Sequence, residues 1–386
     1  MEEKLRKLNK RIYGIGFFAV ILIIGAFSLQ NLMNYYINDE VSFNAWMPDA
    51  GDVNETNFIV NMAGKESLIN LNGVVRAVLN QHEMNDVVKL NNGYLTQTIP
   101  MVDIEVLAQE AETLGELQDK LEAQDIQLLY VATGCTVSKY DPQLPIGVED
   151  YSNQNVDNFL EKLEEQNVHY IDMREEIYMD GLDHYELFYK TDHHWTTEGG
   201  FYAYTKIVNE IEDMLDTQVS EEVKSLENYE ITTYENWHLG TRGKRVGAAY
   251  AGVDDFTLIL PKFENYVYNT GTTEEGSLQD IVINVKALEE RNLQEDYVYD
   301  QVLGASLGFY ANPNASSDKN VLIICDSMGK AVNPYMILSF QKVGYIDAYN
   351  PSDLTLERIE SFEPDIVVIM QYPWQLGSDL AFSFGM

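Results

Sequence analysis

Two stretches of the chain, Val321-Leu322-Ile323-Ile324-Cys325 and Ile366-Val367-Val368-Ile369-Met370, carry no polar residue at all. Successive residues of a strand point to opposite faces, so such a run is buried on both sides and belongs to a sheet covered by helices above and below. The rest of the chain follows that plan. Glu105 to Ala123 has helix-favouring composition and is followed at once by the strand-like Ile126 to Ala132. Asn155 to Gln166 is followed by Val168 to Asp172, a helical segment runs from Trp195 to Met214, and Lys330 to Gln341 reads as the helix after the first apolar strand. An acidic helix bearing Leu356, Ile359 and Phe362 enters the second strand. This alternation predicts an α/β fold, a parallel sheet flanked by helices. Residues 229–318, richer in Gly, Thr, Tyr and Asn, read as a β-rich insertion.

Ahead of this domain, the uncharged run Ile12 to Leu29 would span roughly 27 Å as a helix, close to the hydrocarbon thickness of a bilayer. Lys4, Arg6, Lys7, Lys10 and Arg11 precede it, and no small-x-small cleavage pattern follows it. The expectation is a basic cytoplasmic segment at 1–11, a single-pass transmembrane anchor at 12–30, a stalk at 31–64 and an extracytoplasmic domain at 65–386. The chain has 25 basic and 62 acidic residues, a net charge of −37, which repels nucleic acid at long range. Cys135 and Cys325, the two cysteines, each end an apolar run and are expected as buried thiols rather than a scaffold of bridges.

Two short stretches carry chemistry. In V-L-I-I-C-D-S-M-G, Ser327 sits where a buried strand gives way to a helix, at the sheet edge where ligands of open α/β sheets bind. Asp and Ser are also ordinary caps at such a junction. In K-T-D-H-H-W-T-T-E-G-G, an extended backbone would place Asp192 and His194 on one face and turn His193 the other way. Asp192 would then orient His194, and His194 would take the proton of Ser327. Two other readings of the same residues stand beside this one. A metal could draw on Asp192, His193 and His194 with Asp183 and His184, although no ligand pair at helical spacing is present. Alternatively, Thr191 and Asp192 cap a helix and both histidines belong to the core.

T-D-H-H-W-T-T-E-G-G-F-Y-A-Y resembles the signature of the DHHW family, which is similar to SGNH hydrolases and to the alginate O-acetylation proteins that place Asp-x-His ahead of their serine. The segments L-L-Y-V-A-T-G-C-T-V-S-K-Y-D-P-Q-L-P, H-L-G-T-R-G-K-R-V-G, D-D-F-T-L-I-L-P and V-L-I-I-C-D-S-M-G extend the resemblance over roughly residues 65–386. It implies an SGNH-like fold with Ser327 as nucleophile, His194 as base and Asp192 as its orienting acid, with no metal and no cofactor. The chain departs from the family where Thr133-Gly134-Cys135 replaces Pro-x-Lys, and where Cys325 replaces the Gly before Asp-Ser.

Candidate oxyanion donors are the backbone around Ser327 and Met328 and the amide of Gln371. Candidate substrate contacts are Trp195 and the basic patch Thr241, Arg242, Lys244 and Arg245. The resemblance implies O-acyl transfer, acetyl foremost, on a cell-surface polysaccharide beside a membrane-bound O-acyltransferase. An acetylesterase with the same triad, and a catalytically silent carbohydrate-binding or scaffold subunit, are the competing functions.

Overall fold

The computed structural model describes residues 64–293, 297–350 and 354–378, with Phe18, Leu22, Ile23, Gly25, Ala26, Phe382 and Phe384. It falls into two compact units, Met1–Val75 and Arg76–Met386. The expected stalk lies outside the described residues except for Gly64, and so does most of the expected anchor. The five described residues of that apolar run are helical and exposed. Among the described residues no helix is long and apolar enough to cross a membrane.

The second unit begins with a small antiparallel sheet of β1 (Glu83–Met84), β2 (Val87–Lys89) and β3 (Leu95–Thr96). The next four strands are β4 (Gln127–Ala132), β5 (Tyr170–Asp172), β6 (Tyr229–His238) and β7 (Asp254–Pro261). The later strands are β8 (Val267–Asn269), β9 (Glu275–Gly276), β10 (Tyr310–Ala311), β11 (Ser317–Cys325), β12 (Phe340–Asp347) and β13 (Ile366–Gln371). The main sheet has the order β5-β4-β13-β11-β12-β10-β8-β9, while β6 and β7 form a separate ribbon. From β5 to β12 the pairing is parallel. The strands β10, β8 and β9 extend it as an antiparallel edge.

The apolar runs lie where two-sided burial requires, in the middle of the sheet. Leu129, Val131, Ile323, Cys325, Val368 and Met370 face one core, which includes Phe201, Tyr204 and Ile207 of the helix Thr197–Leu215. Leu128, Tyr130, Leu322, Ile324, Val367 and Ile369 face the other, with Leu107, Leu114 and Leu121 of the helix Ile104–Glu122 and Phe159 of the helix Ser152–Glu165. Each of these fully buried aliphatic side chains stabilises the fold by about 1.5–3 kcal/mol relative to exposure. The helix Ile104–Glu122 starts where Asp103 accepts the Glu105 N–H, and Thr197–Leu215 where Thr196 accepts the N–H of Gly199.

Two expectations change. The segment after Ser327 is a 3-10 turn, Ser327–Ala331, followed by a helix at Asn333–Ser339, and Gln341 lies in β12. Gln341 and Lys342 are exposed at the start of that strand and break its apolar signature. The segment 229–318 also mixes strands with short helices, and β8 to β10 belong to the main sheet. The sheet is therefore mixed. Cys135 and Cys325 are free and buried, and burial pushes the Cys135 thiol up to about 11 and the Cys325 thiol well above its usual range.

Candidate active site

Ser327 follows β11 directly, and Asp326 shapes the corner. One oxygen of Asp326 accepts the Met328 N–H at 2.9 Å and the other accepts the Tyr372 N–H at 2.8 Å, tying the serine turn to the chain just beyond β13. Burial raises the Asp326 carboxyl, and these two N–H donors hold it back. The Trp195 indole N–H donates to the Met328 carbonyl at 2.9 Å.

Helix Thr197–Leu215 can lie close to this turn because Gly200 has no side chain. A Cβ there would meet the Ala331 Cβ at 2.3 Å and the Ala331 carbonyl oxygen at 2.7 Å.

The segment Lys190–Trp195 is a tight bend rather than an extended strand. Phe188 and Trp195 form an antiparallel bridge across it, and the Tyr189 N–H donates to the His194 carbonyl. The Asp254 carboxylate accepts the N–H groups of Lys190 at 2.9 Å and Thr191 at 2.8 Å. Folded this way, both histidines turn toward the acid. His193 Nδ1 lies 2.9 Å from Asp192 Oδ1, so His193 does not point away as an extended backbone would require. The two imidazoles are 3.8 Å apart.

His194 Nε2 lies 2.6 Å from Ser327 Oγ across 133 residues of chain. Its Nδ1 is 3.4 Å from Asp192 Oδ2, an ion-pair distance longer than a well-formed hydrogen bond. The Tyr299 ring stacks on His194 with centroids 4.2 Å apart, and the Tyr299 hydroxyl donates to the Ser327 carbonyl at 3.2 Å. Burial, reinforced by the neighbouring His193 and opposed by Asp192, lowers the His194 pKa to about 4. At neutral pH the ring is uncharged and can accept a proton at Nε2.

Asp192 is wholly buried and rich in donors. It accepts the His193 N–H at 2.7 Å, the Thr241 hydroxyl at 2.9 Å, the Tyr297 hydroxyl at 2.9 Å and His238 Nε2 at 3.1 Å. Burial alone would raise its pKa, but the interactions with His194 and His193 outweigh this and hold the carboxyl well below its usual range. Gly240 permits this crowding, since a Cβ there would come within 2.4 Å of the Asp192 Cβ. Asp192, His193 and His194 also present ligand atoms within 4.8 Å of one another. A metal held there would compete with Thr241, Tyr297 and His238 for the same two carboxylate oxygens.

The remaining sequence candidates separate by burial. Arg242 is 3% exposed, and its guanidinium donates to the carbonyls of Leu95 and Asp192, to Thr136 and to the Tyr372 hydroxyl. It clamps the site from behind and offers no surface to a substrate. Trp195 is likewise interior, 2% exposed, and Thr241 touches the acid itself. Arg245 lies at the surface, 3.3 Å from Asp86, and Lys244 stands over the Tyr297 ring.

Among the oxyanion candidates, the Met328 N–H is directed at Asp326. Gln371 is buried one residue past Met370, the pairing partner of Cys325, with its side-chain oxygen unpartnered. His238, Tyr297 and Tyr299 were not singled out in the sequence, although His238 opens the quoted block H-L-G-T-R-G.

A strand-end serine thus meets a neutral imidazole at the C-terminal end of the parallel strands of a mixed, helix-covered α/β sheet. Residues 98–239 match the family of the SGNH hydrolase-like domain of acetyltransferase AlgX. That segment holds Asp192, His194 and His238 and ends before Ser327. Over these residues the match agrees with the resemblance read from the sequence.

In solved structures, the fold is similar to Bacillus cereus PatB1 carrying a sulfonyl adduct, with TM-score 0.62 and 18% identity over 79% of this chain and 99% of PatB1. It is also similar to a DHHW family protein from Eubacterium siraeum, with TM-score 0.56 and 17% identity over 78% of this chain and 95% of that one. The O-acetyltransferase domain of Pseudomonas putida AlgJ matches at TM-score 0.45 and 12% identity, over 76% of this chain and 92% of AlgJ. No curated protein sequence matches the chain.

Proposed function

We propose that the protein transfers an acyl group, acetyl foremost, to a hydroxyl of a cell-surface polysaccharide, with Ser327 as nucleophile, His194 as general base and Asp192 as orienting acid. The observation that carries this reading is the 2.6 Å contact between Ser327 Oγ and His194 Nε2, at an imidazole that burial keeps neutral. Ser327 Oγ attacks the acyl carbonyl while its proton passes to His194 Nε2, and the imidazolium so formed faces the Asp192 carboxylate. The imidazolium then protonates the leaving group, and the acyl group remains on Ser327. A sugar hydroxyl, deprotonated by His194, attacks this ester and carries the acyl group away.

Because Met328 N–H is taken by Asp326, the N–H of Ser327 is the backbone donor for the oxyanion, with the Gln371 carboxamide as the side-chain candidate. The apolar run Ile12 to Leu29 would anchor the domain outside the membrane, beside a membrane-bound O-acyltransferase as acyl donor. Water in place of the sugar makes the same site an acetylesterase, and the partly exposed Ser327 keeps that reading open. A silent scaffold does not need the serine–imidazole contact.

The test is p-nitrophenyl acetate turnover by the full chain in detergent, together with intact-mass detection of a sulfonyl adduct after treatment with a sulfonyl fluoride. PatB1, whose fold is similar, has been solved with such an adduct. Ser327→Ala should lower turnover by about 10³-fold or more and abolish labelling. Equal turnover and labelling in the variant would remove Ser327 from the mechanism.

A further inference from the structure

A groove of about 570 Å³ is lined among others by Arg76, Glu83, Asp86, Gln97, Glu149 and Trp374. Its volume falls within the roughly 300–1,000 Å³ of ligand sites. Three parts of its wall are tied to segments that build the catalytic centre. Trp374 lies two residues past Tyr372, whose N–H is bonded to Asp326 and whose ring meets His193 edge-on at 5.5 Å. Gln97 follows β3, whose Leu95 carbonyl is held by Arg242. Asn85 donates to the Arg245 carbonyl at 2.7 Å, fixing the β1–β2 wall to the helix Thr241–Val246, and Thr241 in that helix bonds Asp192.

Trp374 is the feature that needs explaining. Its side chain is 56% exposed in a polar groove, and Ile146, fully exposed, adjoins the lining residue Gly147. An indole face left in water beside amide and carboxylate groups suits a ligand that is apolar on one face and hydroxylated at its rim. A pyranose ring has that character: its C–H face packs on the electron-rich indole face, and its hydroxyls reach Gln97, Glu83 and Glu149.

The charge of the groove narrows the choice. The ionisable lining is one guanidinium, Arg76, against three carboxylates, Glu83, Asp86 and Glu149, and Asp86 is shared with Arg245. With −37 on the whole chain, a polyuronate would be repelled both at long range and inside the groove.

We propose that this groove is the acceptor subsite of the acyl-transfer site, and that it binds an uncharged or amino-sugar glycan stacked on Trp374. The proposal rests on the acyl-transfer reading for its role, but glycan binding is measured without turnover. Isothermal titration of the full chain in detergent with mannopentaose, an N-acetylglucosamine pentasaccharide and an oligogalacturonate should give heat with at least one of the first two and none with the third. The Ser327→Ala protein should bind equally well, so failure of the nucleophile and failure of the groove are read separately.

Trp374→Ala should weaken binding by tenfold or more, and Trp374→Phe should retain most of it, at equal melting temperature. Preference for the oligogalacturonate, absence of binding to all three, or unchanged affinity in Trp374→Ala would each overturn the proposal.

Discussion

His238 Nε2 lies 3.1 Å from Asp192 Oδ2, closer to that oxygen than His194 Nδ1, which is 3.4 Å away. The acid thus faces three imidazoles, with His193 on Oδ1 and His194 and His238 on Oδ2, and of these His194 is the one bonded to the serine. Because His238 is fully buried, its ring is held in place and limits how far the carboxylate can swing toward His194.

Removing this support has a defined signature. His238→Ala should lower kcat for p-nitrophenyl acetate by about tenfold with KM nearly unchanged, since the lost interaction acts on the base rather than on substrate binding. His238→Gln, which keeps a donor near Oδ2, should recover most of the rate. Wild-type kcat in the alanine variant would show that Asp192 is fixed by Thr241 and Tyr297 without it.

The pH dependence follows from the buried His194. With its pKa lowered to about 4, chiefly by burial and then by His193, kcat/KM should rise as pH increases through about 4 and be level by pH 6. The same shift affects stability with a definite sign. The unfolded ring titrates near 6.5, so between about 4 and 6.5 the unfolded chain binds more protons. This contribution to stability is complete above about pH 6.5 and is lost as pH falls toward 4. An acid limb in kcat/KM centred at 6.5 or higher would contradict the assignment of His194 as the neutral base.

Arg242 should behave as a structural clamp. Arg242→Met leaves the Leu95 and Asp192 carbonyls, Thr136 and Tyr372 without their donor, at a cost of about 1–3 kcal/mol for each buried group left unpaired, seen as a lower melting temperature. Lysine should recover little, because it cannot supply the planar fork. The KM of the folded fraction should stay near that of wild type. A many-fold rise in KM at unchanged melting temperature would instead place Arg242 on the substrate.

The α/β plan could be read from the chain because strands buried on both faces leave uninterrupted apolar runs, as in Ile366 to Met370. β12 could not, since Gln341 and Lys342 interrupt its pattern and its place in the sheet is set by pairing with β11. Asp192, His194 and Ser327 stood out because residue type and backbone context coincide there. His193 was misdirected by treating its segment as extended, whereas Asp254 folds that segment into a bend. His238, Tyr297 and Tyr299 left no local mark, because each acquires its role only from a partner far along the chain. Arg242 and Trp195 stand among the candidate substrate contacts in the sequence because burial is a property of packing, and a basic or aromatic residue near glycines gives no sign of it.

The placement of β13 has a consequence for biosynthesis. Its strand lies between β4 and β11, so the two parts of the parallel sheet, one leading to the histidine segment and the other ending at the serine, share no strand pairing until residues 366–371 have left the ribosome. The nucleophile is made before the strand that closes the sheet around it. A nascent chain halted short of β13 therefore lacks both the strand that joins these two parts and the Tyr372 N–H that holds Asp326, so the serine corner gains its full support only in the last stage of synthesis.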